Sequence, residues 1–247
     1  MWSSTPRLPS LCEGIAVTDS FDDLADGTVR SVDEPTGELV SVHVGKPRVV
    51  QAARSEVSTA IWKYPIEGRV RVRGVNLDGD DQADRSVHGG PDKAIYAYAL
   101  EEVDAWEQEL GRTLGEAAFG QNLTTRGIEV SGAVIGERWA IGTTVLEVAQ
   151  PRQPCYKLAL RIGEPAFVKR FAHASRPGAY LRIITEGELG AGDQITVLSR
   201  PTHGITCRMV SDAILRDPTL SSRVIRAQEL PSELRAWLAN RIASQRD

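Results

Sequence analysis

The sequence predicts a mostly-β fold: a barrel with interspersed helices and a small α-helical module at its C-terminal end. Three observations carry that expectation. Short segments alternate apolar and polar residues with a period of two. Turns rich in Gly and Asp separate them, as in antiparallel barrels and sandwiches rather than parallel sheets. Helical spacing is confined to one internal stretch and to the residues beyond about Arg200.

Residues 1–36 are poor in periodic pattern and rich in Ser, Thr, Pro, Asp and Gly, and read as a flexible N-terminal extension. The first strand falls on Gly37–Gly45, with Val40, Val42 and Val44 on one face and Ser41 and His43 on the other. In Gly68–Val75, Val70 and Val72 alternate with Arg69, Arg71 and Arg73. Thr143–Ala149 sets Leu146 and Val148 against Val145 and Glu147. Ala179–Thr185 and Gln194–Leu198 are two further strands, joined by a turn-rich connection at 186–193. Tyr98–Leu110 predicts a helix, with Val103, Trp106 and Leu110 on its inner stripe and Gly111 as its stop. Three short helices are expected at 207–217, 220–227 and 231–243, punctuated by Pro218 and Pro231. The organisation is therefore an extension (1–36), a barrel (37–200) and a three-helix module (201–247) too small to stand alone.

At 247 residues, 41% hydrophobic and 25% charged, the composition is that of a globular protein with a core of its own. A net charge of -4 argues against a non-specific nucleic-acid binder. Cys12, Cys155 and Cys207 are odd in number and far apart, which fits neither a disulfide framework nor a zinc site. A cytoplasmic setting follows, with no apolar signal sequence and no run long enough for a membrane span.

Chemistry concentrates in three segments. Pro151–Leu158 holds Cys155 between prolines and the cations Arg152 and Lys157, a setting that favours the thiolate, which is both nucleophile and soft-metal ligand. Burial as a small apolar side chain is the alternative for Cys155. In 77–94, the carboxylates of Asp78, Asp80, Asp81 and Asp84 resemble a calcium loop, but Ala83 and Gly89 stand where that loop needs Gly and Glu. His88, Gly89 and Gly90 can present backbone N–H groups to an anion, or can simply form a tight turn. In 118–127, Asn122, Thr124, Thr125 and Arg126 suit a loop that binds a polar ring and its phosphate, and equally a turn that caps its own backbone. Phosphate-loop, dinucleotide, zinc-protease and serine-hydrolase motifs are all missing.

Taken in order, these segments resemble the MOSC family, named after the C-terminal domain of molybdenum cofactor sulfurase, and its YiiM-like branch in particular. The matching pieces are Ser58–Ile66, Gly74–Asp80, His88–Ala94, Phe119–Thr124, Pro151–Leu158, Gly178–Ile183 and Gly190–Asp193. The resemblance covers about 37–200, and the C-terminal helices look like the appendage some YiiM-like proteins carry. One residue departs from the pattern: Gln121 stands where the family has Glu. If that carboxylate delivers protons, activity is in doubt; if it only holds backbone, Gln121 can replace it.

The resemblance implies a β-barrel that binds the molybdenum cofactor, with Cys155 as the sulfur ligand to the metal. Lys63, His88, Gly89, Gly90, Lys93, Asn122, Thr124 and Arg152 are the implied cofactor-binding residues, and Cys155 and His88 the catalytic ones. The implied activity is reduction of small N-hydroxylated compounds, such as hydroxylaminopurines, to amines. No flavin, haem or iron–sulfur motif is present, so a separate flavoprotein-type donor is the expected partner. The alternatives are a carrier of sulfur or cofactor using a Cys155 persulfide without turnover, and a metal-free thiol enzyme with His88 as base.

Overall fold

The computed structural model describes residues 35–52, 55–83 and 89–245. The extension expected at 1–36 therefore lies almost wholly outside the described residues, as do His88 and Asp84. Seven strands close into a barrel: β1 (Pro35–Val44), β7 (Ile95–Ala99), β8 (Leu123–Arg126), β9 (Arg138–Ile141), β10 (Thr144–Gln150), β11 (Ala179–Thr185) and β13 (Gln194–Ser199). Their order is β13-β9-β10-β11-β7-β8-β1, and the ring closes where Gly37 and Glu38 pair with Ile195 and Gln194. Closure leaves no sheet edge to protect, and the mostly-β barrel expected from the alternating pattern is the observed fold.

Every pairing in the ring is antiparallel except β7 with β8, which is parallel. A parallel neighbour demands a crossover. Here α1 (Leu100–Leu110) supplies it, ending at Gly111 in the left-handed conformation that the sequence predicted. The crossover brings Gln121 and Asn122 back to the end of the barrel where β7 begins, with Ala97 opposite Leu123. Because β11 runs against both β10 and β7, Gln150, Tyr180 and Tyr96 lie side by side at that same end. β1 finishes there too, with Val42 opposite Leu123.

Outside the ring stand two small sheets, β5 (Arg69–Arg73) between β6 (Asn76–Leu77) and β12 (Gly187–Gly190), and the hairpin β2 (Arg48–Gln51) with β3 (Glu56–Thr59). The two-residue strand β4 (Tyr64–Pro65) pairs with the end of β1. α2 (Tyr156–Ile162) and α3 (Phe167–His173) join α1 around a second core of Tyr98, Trp106, Phe119, Phe167 and Phe171. α4 (Cys207–Leu215), α5 (Ser221–Val224) and α6 (Ser232–Ala243) place Val210, Ala213, Val224 and Leu238 in the same apolar cluster as the barrel interior. No helix among the described residues is long and apolar enough to cross a membrane.

Four local expectations change. Tyr98 and Ala99 belong to β7, not to the helix, because β7 is buried on both faces and so reads as an unbroken apolar run. A register shift between Leu39 and Ser41 makes Leu39 and Val42 the inward residues of β1, rather than Val40, Val42 and Val44. The 186–193 connection contains β12: Gly187 and Gly190 serve close backbone approach, since a Cβ at either would meet a carbonyl oxygen within 2.6 and 2.9 Å. The helix expected at 220–227 shortens to a turn of 3-10 helix at Pro218–Leu220, capped by Asp217, and then α5.

Glu102, in the first turn of α1, is buried, and burial pushes its carboxyl up to about 7 against the opposing pull of Ser131, Arg208 and Arg176. The folded chain holds this proton more tightly than the unfolded chain does. The cost is therefore absent below pH 4.5, grows as pH rises, and levels off above pH 7 at roughly 3 kcal/mol, each pH unit of separation being worth about 1.4 kcal/mol. Glu102→Gln is expected to stabilise the protein by up to that amount at pH 8 and to change little at pH 4.5. Denaturant unfolding at the two pH values measures this, and an equal change at both would refute it.

Candidate functional site

The strand ends described above surround a cavity of about 100 Å³. Lys63, Lys93, Asn122, Arg152 and Cys155 all line it, although they are scattered over more than ninety positions of the sequence. Asp80, Tyr96, Lys157 and Tyr180 line it with them.

Asn122 sits just before β8, and its amide is fully engaged. Its Nδ2 donates to the His43 carbonyl at 3.1 Å and to Asp80 Oδ2 at 2.9 Å, and its Oδ1 accepts from the Tyr96 N–H at 3.1 Å. Asp80 Oδ1 accepts from the Gly45 N–H at 2.7 Å and from Lys63 Nζ at 2.5 Å. The Lys63 and Asp80 side chains are 8% and 2% exposed, so this is a buried pair, satisfied by two further donors. Burial lowers the pKa of Lys63, and Asp80 opposes that shift. The acidic loop that resembled a calcium site thus contributes a counter-ion to a lysine. Among the described residues, no group of three or more His, Cys, Asp or Glu side chains is placed to hold a metal ion.

On the opposite wall β10 ends at Gln150, and the chain turns through Pro151 to Cys155, the N-cap of α2. Cys155 is half-buried. Arg152 is buried, donates to the Phe119 carbonyl, lies 5.0 Å from the centre of the Tyr96 ring and is in hydrogen-bonding reach of Cys155. Burial works against its charge, but Tyr180, Tyr96 and Cys155 more than offset this and its pKa is raised. Tyr180 packs its ring 5.1 Å from that of Tyr96, and burial raises its hydroxyl pKa, with Arg152 opposing. The Tyr96 hydroxyl donates to the Pro177 carbonyl; the Tyr180 hydroxyl has no hydrogen-bond acceptor among the described residues.

Lys93 closes the 3-10 turn Pro91–Lys93, whose first amide bond runs back to Gly90, a glycine at φ 91°. Arg182 on β11 anchors that turn to the barrel by pairing with Asp92 and with Glu147 Oε1 at 2.9 Å. Gly90 caps this turn, neither Gly89 nor Gly90 lines the cavity, and His88 lies outside the described residues. Thr124 does not line it either: its hydroxyl accepts from Gln121 Nε2 at 3.2 Å. Gln121 Oε1 accepts from the Phe119 N–H at 3.1 Å, so this side chain braces its own loop away from the cavity.

Cys207, by contrast, is a core residue whose thiol pKa is raised by burial. In the sequence Asp80 and Tyr180 had been named only within a motif and a strand, and Tyr96 not at all. Their role comes from strand register: Tyr96 and Tyr180 are opposite one another across β7 and β11.

A family model described as the MOSC domain matches residues 84–196. YflK of Bacillus subtilis is 36% identical over 173 residues, which are 70% of this chain and 78% of that one. Protein YiiM of Escherichia coli is 31% identical over 164 residues, 65% of this chain and 72% of that one. A Gibberella moniliformis protein named as a reductase is 32% identical over 169 residues, 67% of this chain but 30% of its own length. The crystal structure of YiiM from Geobacillus stearothermophilus superposes with a TM-score of 0.68 at 26% identity, over 83% of this chain and 99% of that one. With identity this extensive and the barrel in common, the chain belongs to the MOSC domain family, in its YiiM-like branch.

Proposed function

We propose that this protein binds the molybdenum cofactor through Cys155 and reduces N-hydroxylated compounds to amines. The observation that carries the reading is one half-buried thiol on the wall of a cavity lined by Lys63, Lys93, Arg152 and Lys157. A site with a single soft ligand and, among the described residues, no cluster of further protein ligands suits a metal that arrives already chelated by its own organic sulfur ligands. The cations suit the anionic phosphate of such a cofactor. When bound, the cofactor supplies a metal that accepts an oxygen atom and cycles two electrons.

The net reaction is R–NH–OH plus two electrons and two protons giving R–NH₂ and water. Arg152, within reach of the Cys155 sulfur, places a permanent positive charge beside the proposed ligand atom. Lys63, with its lowered pKa, and Tyr180, whose hydroxyl stays protonated through neutral pH, are the proton sources facing the cavity. The Tyr180 O–H is the freer of the two, because Lys63 is tied to Asp80. Cys155 and Cys207 are unpaired thiols, which accords with a reducing cytoplasmic setting. Gln121, which stands where the family has Glu, bonds the Phe119 amide and the Thr124 hydroxyl off the cavity, which supports a role in holding backbone rather than in proton delivery.

Elemental analysis of protein made in a host with intact cofactor synthesis tests the reading. Near-stoichiometric molybdenum is expected in the wild type and none in Cys155→Ala; molybdenum retained by the variant, or absent from both, would refute it. In loaded protein, Tyr180→Phe is expected to lower kcat with a hydroxylaminopurine about 100-fold, the scale of a lost general acid, at unchanged metal content. Unchanged kcat would remove Tyr180 from proton delivery. Gln121→Glu is expected to leave kcat within about twofold, since either side chain can accept from the Phe119 amide. A large gain in rate would show instead that the carboxylate acts in the reaction.

A further inference from the structure

Beside the mouth of the cavity lies a face that the proposed chemistry leaves unused. The β2–β3 hairpin forms its own two-stranded sheet, not hydrogen-bonded to the barrel, and pairs Arg48 with Thr59. Thr59 lines the cavity while Arg48 is exposed. The Arg48 guanidinium lies 4.5 Å from the centre of the Trp62 ring and donates to the Tyr64 hydroxyl at 2.9 Å. Arg161, on α2, lies 5.9 Å from the same ring and donates to the backbone carbonyl of Glu116 at 2.8 Å. Lys157, one turn earlier on α2, reaches the cavity wall. Arg48, Lys157 and Arg161 pair with no carboxylate among the described residues. Around them Val49, Tyr64 and Tyr156 are 63, 57 and 55% exposed.

We infer that this face docks the electron donor and that the donor is a flavoprotein with an acidic surface, an inference that rests on the reductase reading. Each N–O bond cleaved consumes two electrons, and the sequence carries no redox motif of its own. The donor's reduced flavin is oxidised as it gives up both electrons, and two protons complete the amine and water. Such a donor has to approach at the mouth, because the barrel interior is filled with side chains. Exposed Tyr with Arg and Trp is the residue mixture that anchors protein interfaces. Three cations that pair with no carboxylate among the described residues give this face a local positive charge that draws an acidic partner. In the Gibberella reductase the matched region is 30% of the chain, so there the domain is joined to a much longer polypeptide.

The test titrates labelled flavodoxin, an acidic FMN protein, against the full, cofactor-loaded chain and follows fluorescence anisotropy, with basic cytochrome c as control. Saturable binding is expected at about 20 mM salt, weakened about tenfold at about 200 mM, and none is expected with cytochrome c. Arg48→Glu/Tyr64→Ser is expected to weaken flavodoxin binding at least about tenfold. Its turnover with reduced methyl viologen, a small dye that needs no docking face, should equal that of the wild type. Wild type that does not bind flavodoxin, a variant that binds as well, or a variant that loses dye-driven turnover in parallel each overturns the inference. Wild type that binds through these residues yet reduces nothing with the dye overturns the reductase reading and, with it, the donor as occupant of the face.

Discussion

The side chain of Asn122 is the joint on which the site depends. Its amide spans the start of β7, the end of β1 and the acidic loop, through Tyr96, His43 and Asp80. Without it, the Tyr96 amide loses its acceptor and the His43 carbonyl its side-chain donor, both in a buried region where an unmet partner costs about 1–3 kcal/mol. Asp80 is placed by the same amide, and Lys63 is placed by Asp80. The parallel β7–β8 pair is what puts Asn122 there, since only a parallel neighbour returns the crossover to the end of the barrel where β7 begins.

Charge in the cavity is arranged in two ways. Arg152 keeps its proton under all conditions of interest, and its burial is made tolerable by the Phe119 carbonyl, the Tyr96 ring and the Cys155 sulfur. Lys63 is also buried, and desolvation lowers its pKa against the opposing pull of Asp80. The two cations therefore differ in setting: Lys63 is paired with Asp80, and Arg152 leans on a carbonyl, a ring and a sulfur.

Much of the fold was legible in the sequence, for physical reasons that also mark where reading fails. β5 showed cleanly because one of its faces meets water: Val70 and Val72 are buried and Arg69, Arg71 and Arg73 are not. β7 is buried on both faces, so its five residues carry no alternation and merged with the following helix. β12 was hidden by glycines present for close packing rather than for a turn. In the site, Cys155, Arg152 and Lys157 stood out because a thiol among cations is rare chemistry, whereas Lys63 and Lys93 entered only through the family resemblance. Tyr96 and Tyr180 did not, because a tyrosine in a strand is usually packing, and only the register of β7 against β11 brings the two rings together.

The two described cysteines show why position in the fold decides chemistry. Cys207 begins α4, is wholly buried, and has its thiol pKa raised by burial, so it behaves as a small apolar side chain. Cys155 precedes a helix in the same way, yet is half-buried, lines the cavity and lies within reach of a guanidinium. A helix start is common to both and cannot be the cause of the difference. What separates them is the barrel: Cys155 follows directly from the end of β10, where the strand delivers it to the open end of the ring. Cys207 sits where α4 packs into the barrel cluster. The proline-bounded turn after β10 therefore presents the thiol, and the sealing of α4 against the barrel leaves that thiol as the one available to chemistry among the described residues.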